Sequence, residues 1–299
     1  MNEFKLINKY LKSLSTKYKG AFNLSDDIFY DNKKKIAISL DTYVQGVHFI
    51  DSKKPERFLK KILRSSLSDL YCKGIKPKYY FLSCGLNKTF VNKIWLKKFS
   101  KILNKEQKKF KISLVGGDTT FSSKLIITIV VLGESKKFPV LRSGGKYNDD
   151  IFVTGNIGNS FLGLGVLKKS YNFGKLNNFF VKKYYEPELQ EKFSKYLSKI
   201  SSCSIDVSDG LVQDLGNLCR NSKCGANIDI NLIPISKQCE NLINNKKINL
   251  KKIFSNGDDY QILFTSNPKN KSKIFNLSKH LKTKITKIGT IKKGRKINL

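Results

Sequence analysis

The chain has 299 residues and carries 57 Lys and Arg against only 23 Asp and Glu, so the placement of its acids is informative. Aspartates recur beside glycine or where strand-like runs end, in otherwise apolar surroundings. They are Asp26-Asp27, Asp41, Asp69 in Ser68-Asp69-Leu70, Asp118 in Gly116-Gly117-Asp118-Thr119-Thr120, Asp206 and Asp209 in Asp206-Val207-Ser208-Asp209-Gly210, and Asp258-Asp259. A buried carboxylate costs several kcal/mol unless it is paired or ligates a metal. Carboxylates clustered without Cys or His suit a hard cation such as Mg²⁺. Magnesium in turn suggests phosphate chemistry, in which cations bridge substrate oxygens. Each aspartate also has a plainer reading. Asp27, Asp41 and Asp118 fit turns or caps, and Asp209 fits the cap of the helix that follows it. Asp69 resists such a reading, because it falls near the C-terminal end of a helix, where the dipole disfavours negative charge. Gly116-Gly117 can bring backbone N–H groups close to a phosphate, although the Gly-Lys-Ser/Thr ending of a P-loop is absent.

The elements that must position these groups follow from periodicity. Residues 35–40 read as a strand ending at Asp41. Residues 56–72 follow helical spacing through Phe58, Leu59, Ile62, Leu63, Leu67 and Leu70, with Pro55 at the start and Gly74 just past the end. Residues 79–84 form a second strand, 90–104 an amphipathic helix through Ile94, Trp95, Phe99, Ile102 and Leu103, and 125–132 a β-branched strand. A lysine-rich stretch with Pro139 and Arg142-Ser143-Gly144-Gly145 reads as a connector, placing a boundary near 137. The second half opens with a strand at 151–153. It continues with a helix near 188–200 and another after Asp209. The mixture predicts two α/β or α+β domains, 1–137 and 138–299.

Composition excludes several classes. Hydrophobic residues make up 40%, too many for a disordered polyelectrolyte. No run of about 18 apolar residues is present, so no membrane span is expected. The first residues lack the pattern of a secretory signal, and a cytoplasmic location is expected. The six cysteines form no CxxC pair and His48 and His280 lie far apart, which argues against zinc and for reduced, buried thiols. The formal charge of +34 invites a nucleic-acid reading. The lysines, however, are spread along the whole chain beside abundant Asn and Ile, as a coding bias would leave them, and no nucleic-acid-binding motif accompanies them. A basic field still draws in anions such as ATP.

Taken in order over about residues 3–290, these motifs resemble those of the thiamine-monophosphate kinase family, within the aminoimidazole-ribotide-synthetase-like superfamily. The matching segments are Asp26-Asp27, residues 39–49, Leu67-Ser68-Asp69-Leu70 with Gly74 and Pro77, residues 116–120, Arg142-Ser143-Gly144, Val153-Thr154-Gly155, residues 206–211 and Gly257-Asp258-Asp259-Tyr260. The segment 41–49, with Gly46 and His48, points to this family rather than its superfamily neighbours. The resemblance implies ATP-dependent phosphorylation of thiamine monophosphate to thiamine diphosphate. It implies several Mg²⁺ ions on Asp27, Asp41, Asp69, Asp118, Asp206 and Asp209, with Ser39 and the backbone of Leu40. Gly117, Asp118, Arg142 and Ser208 match nucleotide-contacting positions, and His48 and Asp258 match positions that hold the thiamine substrate. Asp118, Asp209 and Arg142 are the expected catalytic groups. The implied fold is an N-terminal α/β domain whose sheet pairs across a homodimer, plus a C-terminal α/β domain, with the site in the cleft between them. Asp258 stands where the family usually has Glu, and Leu40 where it usually has Thr. Two alternatives are another ATP-dependent superfamily member and a non-catalytic, basic nucleic-acid binder.

Overall fold

The computed structural model describes residues 3–245 and 247–298. Strands β1 (Phe29–Asp31), β2 (Ile36–Val44), β3 (Lys76–Leu86), β4 (Ser113–Phe121) and β5 (Ile126–Glu134) form one sheet in the order β1-β2-β5-β3-β4. Among the described residues of this sheet, only β3 and β4 pair in parallel. Alternation along β5 turns Ile127, Ile129 and Val131 inward, where all are fully buried. Two helices, Pro55–Cys72 and Lys93–Phe110, cover that face. Pro55 presets the first turn of the former, and Gly74, at φ +77°, takes the left-handed turn after its end. The second helix starts later than the 90–104 expectation because the Asn92 side chain accepts the Ile94 and Trp95 N–H groups. It ends later because no turn residue stops it before Lys111, which adopts the left-handed conformation.

Two expectations are revised in this sheet. Strand β2 does not stop at Asp41; it continues to Val44, with Asp41 opposite Ile129 and Val44 opposite Ile126. The Gly116-Gly117-Asp118 motif is not a loop but the middle of β4, an edge strand whose nine residues are all exposed. Glycine is needed there, since a Cβ on Gly117 would lie 1.8 Å from the Leu82 carbonyl oxygen.

The second sheet comprises β6 (Asp150–Thr154), β7 (Cys203–Asp206), β8 (Gly225–Ile228), β9 (Ile262–Ser266), β10 (Ile285–Lys292) and β11 (Ile297–Asn298), in the order β11-β8-β10-β6-β9-β7. Both faces are covered. Ile151, Val153, Ile205 and Leu263 pack with helix Leu211–Ser222 on one side. Phe152, Ile262 and Phe264 pack with Ile274, Phe193, Leu197 and Ile200 on the other. The continuous helix expected near 188–200 is instead two short ones, Glu191–Ser194 and Leu197–Ile200. At the break, the Ser194 hydroxyl donates to the Tyr71 carbonyl (2.6 Å), which ties this segment to the first half. Among the described residues, no helix is long and apolar enough to cross a membrane.

A buried ion pair fastens the halves further. Arg64 donates to both Glu106 carboxylate oxygens (2.7 and 3.1 Å) and to the Pro187 carbonyl (3.1 Å). Removing one partner of such a pair strands a charge in the interior. Glu106→Ala is therefore expected to lower the unfolding free energy by about 3–5 kcal/mol, measured by urea denaturation; a loss no larger than that of an exposed substitution would contradict this.

Candidate active site

Three elements deliver carboxylates to one point at the junction of the two halves. Asp27 precedes β1, Asp69 lies in helix Pro55–Cys72, and Asp206 is the last residue of β7. One oxygen from each lies within 4.8 Å of the others. Ser39 of β2 donates its hydroxyl to Asp69. Asp41, two residues along the same face of β2, accepts from the Tyr43 hydroxyl (3.1 Å), which also bonds Ser65 (2.6 Å) and Ser66 (2.9 Å) of the helix. Strand alternation thus carries Ser39, Asp41 and Tyr43 inward together.

The electrostatics are uneven. Burial, then the charges of Asp41, Asp206 and Asp27, push the Asp69 carboxyl far above the usual carboxylate range. Burial, then Asp27, raise Asp206 to about 7. Burial alone would raise Asp27 as well, but Arg142 and Lys73 bring it down to about 2. Arg142 engages both Asp27 oxygens through its guanidinium, and its backbone N–H donates to Asp26 (2.7 Å). Lys73 bridges Asp26 (3.0 Å) and Asp27 (2.6 Å). Burial would lower the Lys73 pKa, but the two carboxylates overcome this and hold it above the ordinary lysine value. The donor set is all oxygen, and its negative charge exceeds the cations beside it. That is the chemistry a hard divalent cation such as Mg²⁺ requires.

The second half contributes two adjoining loops. The N–H groups of Ser208, Asp209 and Gly210 all donate to one oxygen of Asp214 (3.0, 3.1 and 3.1 Å), which fixes the turn after β7. Burial, then Asp206 and Asp209, raise Asp214 to about 8. Asp209 itself is exposed and outside the triad, accepting from Gln213 (2.8 Å). Gly257 lies so close to this turn that a Cβ would sit 1.9 Å from the Ser208 oxygen. Asp258 N–H donates to that oxygen (2.9 Å). The Asp258 carboxylate faces the first half, where Lys61 binds it (2.8 Å), and the Tyr260 hydroxyl donates to it (2.9 Å). The Lys61 ammonium also lies 4.0 Å from the centre of the Tyr184 ring. His48 is exposed nearby. Its Nδ1 accepts the Val44 N–H (3.0 Å), which leaves Nε2 as the ring nitrogen able to donate.

The sequence-derived set is therefore brought together in part. Asp27, Ser39, Asp41, Asp69, Arg142 and Asp206 converge, with Ser208 and Asp209 on the neighbouring turn and His48 and Asp258 across the cleft. Asp118, Gly117 and the Leu40 side chain do not join them. The register Thr42–Thr128–Ser83–Asp118 puts Asp118 on the outer face of the sheet, opposite Asp41, and three strand spacings, about 14 Å, from Thr42. Leu40 is 62% exposed on that same outer face. Lys61, Lys73, Tyr43 and Asp214 were not anticipated. Tyr43 alone had a legible signal, its place two residues after Asp41 in a strand.

The first sheet and its two helices define an α/β domain of the AIR-synthase-related class: the family described as "AIR synthase related protein, N-terminal domain" matches residues 24–135. Thiamine-monophosphate kinase of Buchnera aphidicola subsp. Schizaphis graminum is 38% identical, over 99% of this chain and 92% of that protein. The enzyme of that name from Escherichia coli K12 is 32% identical, over 96% and 89%. The solved structure of AaThiL complexed with AMPPCP and TMP superposes with a TM-score of 0.86 at 27% identity, covering 99% of this chain and 92% of that one. The chain belongs to the thiamine-monophosphate kinase family.

The charge state of the cluster sets its response to pH. A carboxyl whose folded-state pKa exceeds its unfolded value keeps its proton longer in the folded chain. Asp206, raised from 3.8 to about 7, thus costs the metal-free fold stability as pH rises through that window. Asp27 acts oppositely; its stabilisation is present above the unfolded pKa and is lost as pH falls toward about 2. A divalent cation bound at the cluster would take the place of the Asp206 proton. Added Mg²⁺ should therefore raise Tm more at about pH 8 than at about pH 5; thermal melts showing an equal or reversed gain would refute this.

Proposed function

We propose that the protein transfers the γ-phosphoryl group of ATP to thiamine monophosphate, giving thiamine diphosphate and ADP, with Mg²⁺ as the cation. The observation that carries this reading is the buried Asp27–Asp69–Asp206 cluster, flanked by Arg142 on one side and by the Asp258–His48 cleft on the other. The acceptor is a phosphate, already ionised at neutral pH, so no general base is needed. The obstacle is repulsion between two anions, and Mg²⁺ bound at the cluster supplies the charge that offsets it. Asp27, Asp41, Asp69, Asp206 and Asp209 act as ligands rather than proton carriers, with Ser39 and the Leu40 backbone beside them. Arg142 spends two of its five N–H donors on Asp27 and turns others to the nucleotide phosphates. Ser208 lines the nucleotide path, and Gly117 reaches it, as Asp118 does, only through a second copy of the chain. His48, through Nε2–H, and Asp258, held in place by Lys61, orient the thiamine end. Residues 1–137 and 138–299 act as two domains that close around the reactants. We place the protein in the cytoplasm, where its buried thiols stay reduced.

Asp118 enters through a second copy of the chain. Strand β1 covers only residues 36–38 of β2, which leaves the outer edge of residues 39–43 open, and β4 has no strand beside its outer edge. The outer sheet face also exposes Leu40 and Phe81, and β4 exposes Leu114, Val115 and Phe121. Twofold pairing of β4 with β2 of a partner covers this apolar surface. It also lays Asp118 of the partner subunit beside Ser39–Asp41.

Incubation with ATP, Mg²⁺ and thiamine monophosphate, followed by chromatography, should yield thiamine diphosphate; hydrolysis of ATP without that product would exclude the assigned acceptor. The trans arrangement has its own test. Asp118→Asn and Asp41→Asn should each lose most activity, but co-expressed they should recover about a quarter of it, because mixed dimers keep one intact site. No recovery would place Asp118 in the site of its own chain.

A further inference from the structure

We infer that Lys73 is a fixed, protein-supplied cation of the acidic site, standing in for one metal charge beside Asp27 and thereby weakening the cluster's uptake of divalent ions. The inference rests on the metal-binding reading above and deepens it.

Lys73 is the first residue after helix Pro55–Cys72, and its side chain has no exposure to solvent. Its ammonium contacts Asp26 (3.0 Å), Asp27 (2.6 Å) and the Ser204 carbonyl (2.8 Å). These three partners use all three N–H donors of an ammonium. The backbone is pinned as well. Lys73 N–H donates to the Leu70 carbonyl, and the Lys73 carbonyl accepts from Val140 N–H. The side chain is thus a built part of the interior, unlike the many surface lysines of this chain.

Its position relative to the triad is specific. Lys73 follows Asp69 by four residues, touches Asp27 directly, and holds Ser204 two residues before Asp206 on β7. All three clustered carboxylates therefore lie on segments that Lys73 grips. Asp26, Asp27, Asp41, Asp69 and Asp206 face two cations here, Lys73 and Arg142. Arg142 is partly exposed and so can reach a nucleotide. Lys73 cannot, which leaves it neutralisation and positioning. Asp27 is the shared ligand: each unit of its charge satisfied by Lys73 is unavailable to a divalent ion.

The test counts Mn²⁺ bound by the full-length protein without nucleotide, by electron paramagnetic resonance. Lys73→Met should bind its first Mn²⁺ at least about fivefold more tightly than wild type, and its metal-free Tm should fall and be restored by the ion. Lys73→Arg, which keeps the charge, should retain wild-type affinity. A smaller gain, no change or weaker binding in Lys73→Met overturns the inference. Should Lys73→Met fail to fold, Asp26→Asn decides the matter. It leaves Asp27 as the one carboxylate on Lys73, so Mn²⁺ should bind less tightly, and unchanged affinity overturns the inference. Wild-type protein that takes up no Mn²⁺ refutes the metal-binding reading itself; wild-type uptake with unresponsive variants refutes only the role of Lys73.

Discussion

Carboxylates buried within 4.8 Å of one another repel, and this molecule is arranged around that repulsion. In the metal-free chain the strain divides unequally. Asp27 keeps its charge because Arg142 and Lys73 lie against it, whereas Asp69 and Asp206 are pushed toward holding protons. Because the three groups come from a loop, a helix and a strand in different halves of the chain, whatever relieves the repulsion also draws the halves together.

Helix Pro55–Cys72 is the spine of the site. Lys61, Ser65 and Asp69 recur every fourth residue, and Lys73 continues the row past the helix end, so all four line one stripe. That stripe extends about 18 Å from the Asp258 cleft to the Asp26–Asp27 pair. Arg64, beside it, anchors the helix to Glu106 and to the Pro187 carbonyl. A single rigid element thereby sets the spacing between the Asp258 cleft and the Asp26–Asp27 pair.

Much of this was legible in residue types, and the rest was hidden for identifiable reasons. Asp69 pointed to function because its place near a helix end had no structural excuse. The inward set Ser39, Asp41 and Tyr43 was half legible: Asp41 resembles a strand terminus, and only pairing with β5 carries the strand on to Val44. The outward placement of Asp118 depends on strand order and on a bulge between β3 and β4, neither of which local sequence encodes. Lys61 and Lys73 were masked by abundance, since a chain with 57 Lys and Arg gives no sign of which are buried. The 188–200 segment kept its apolar spacing while breaking into two turns, because its contact with Tyr71 lies far away in sequence.

The open border of β4 bears on the unexplained abundance of lysine. The outer border of β4, a strand of nine exposed residues paired on one side only, is a template for another extended polypeptide. Lys111 and Lys124 bracket this border, and the Lys88 ammonium sits 4.4 Å from the centre of the Phe121 ring. Such charges act as gatekeepers against indiscriminate strand addition. A chain with a formal charge of +34 repels its own copies at a distance, and these lysines add to that repulsion at the border where strand addition would begin.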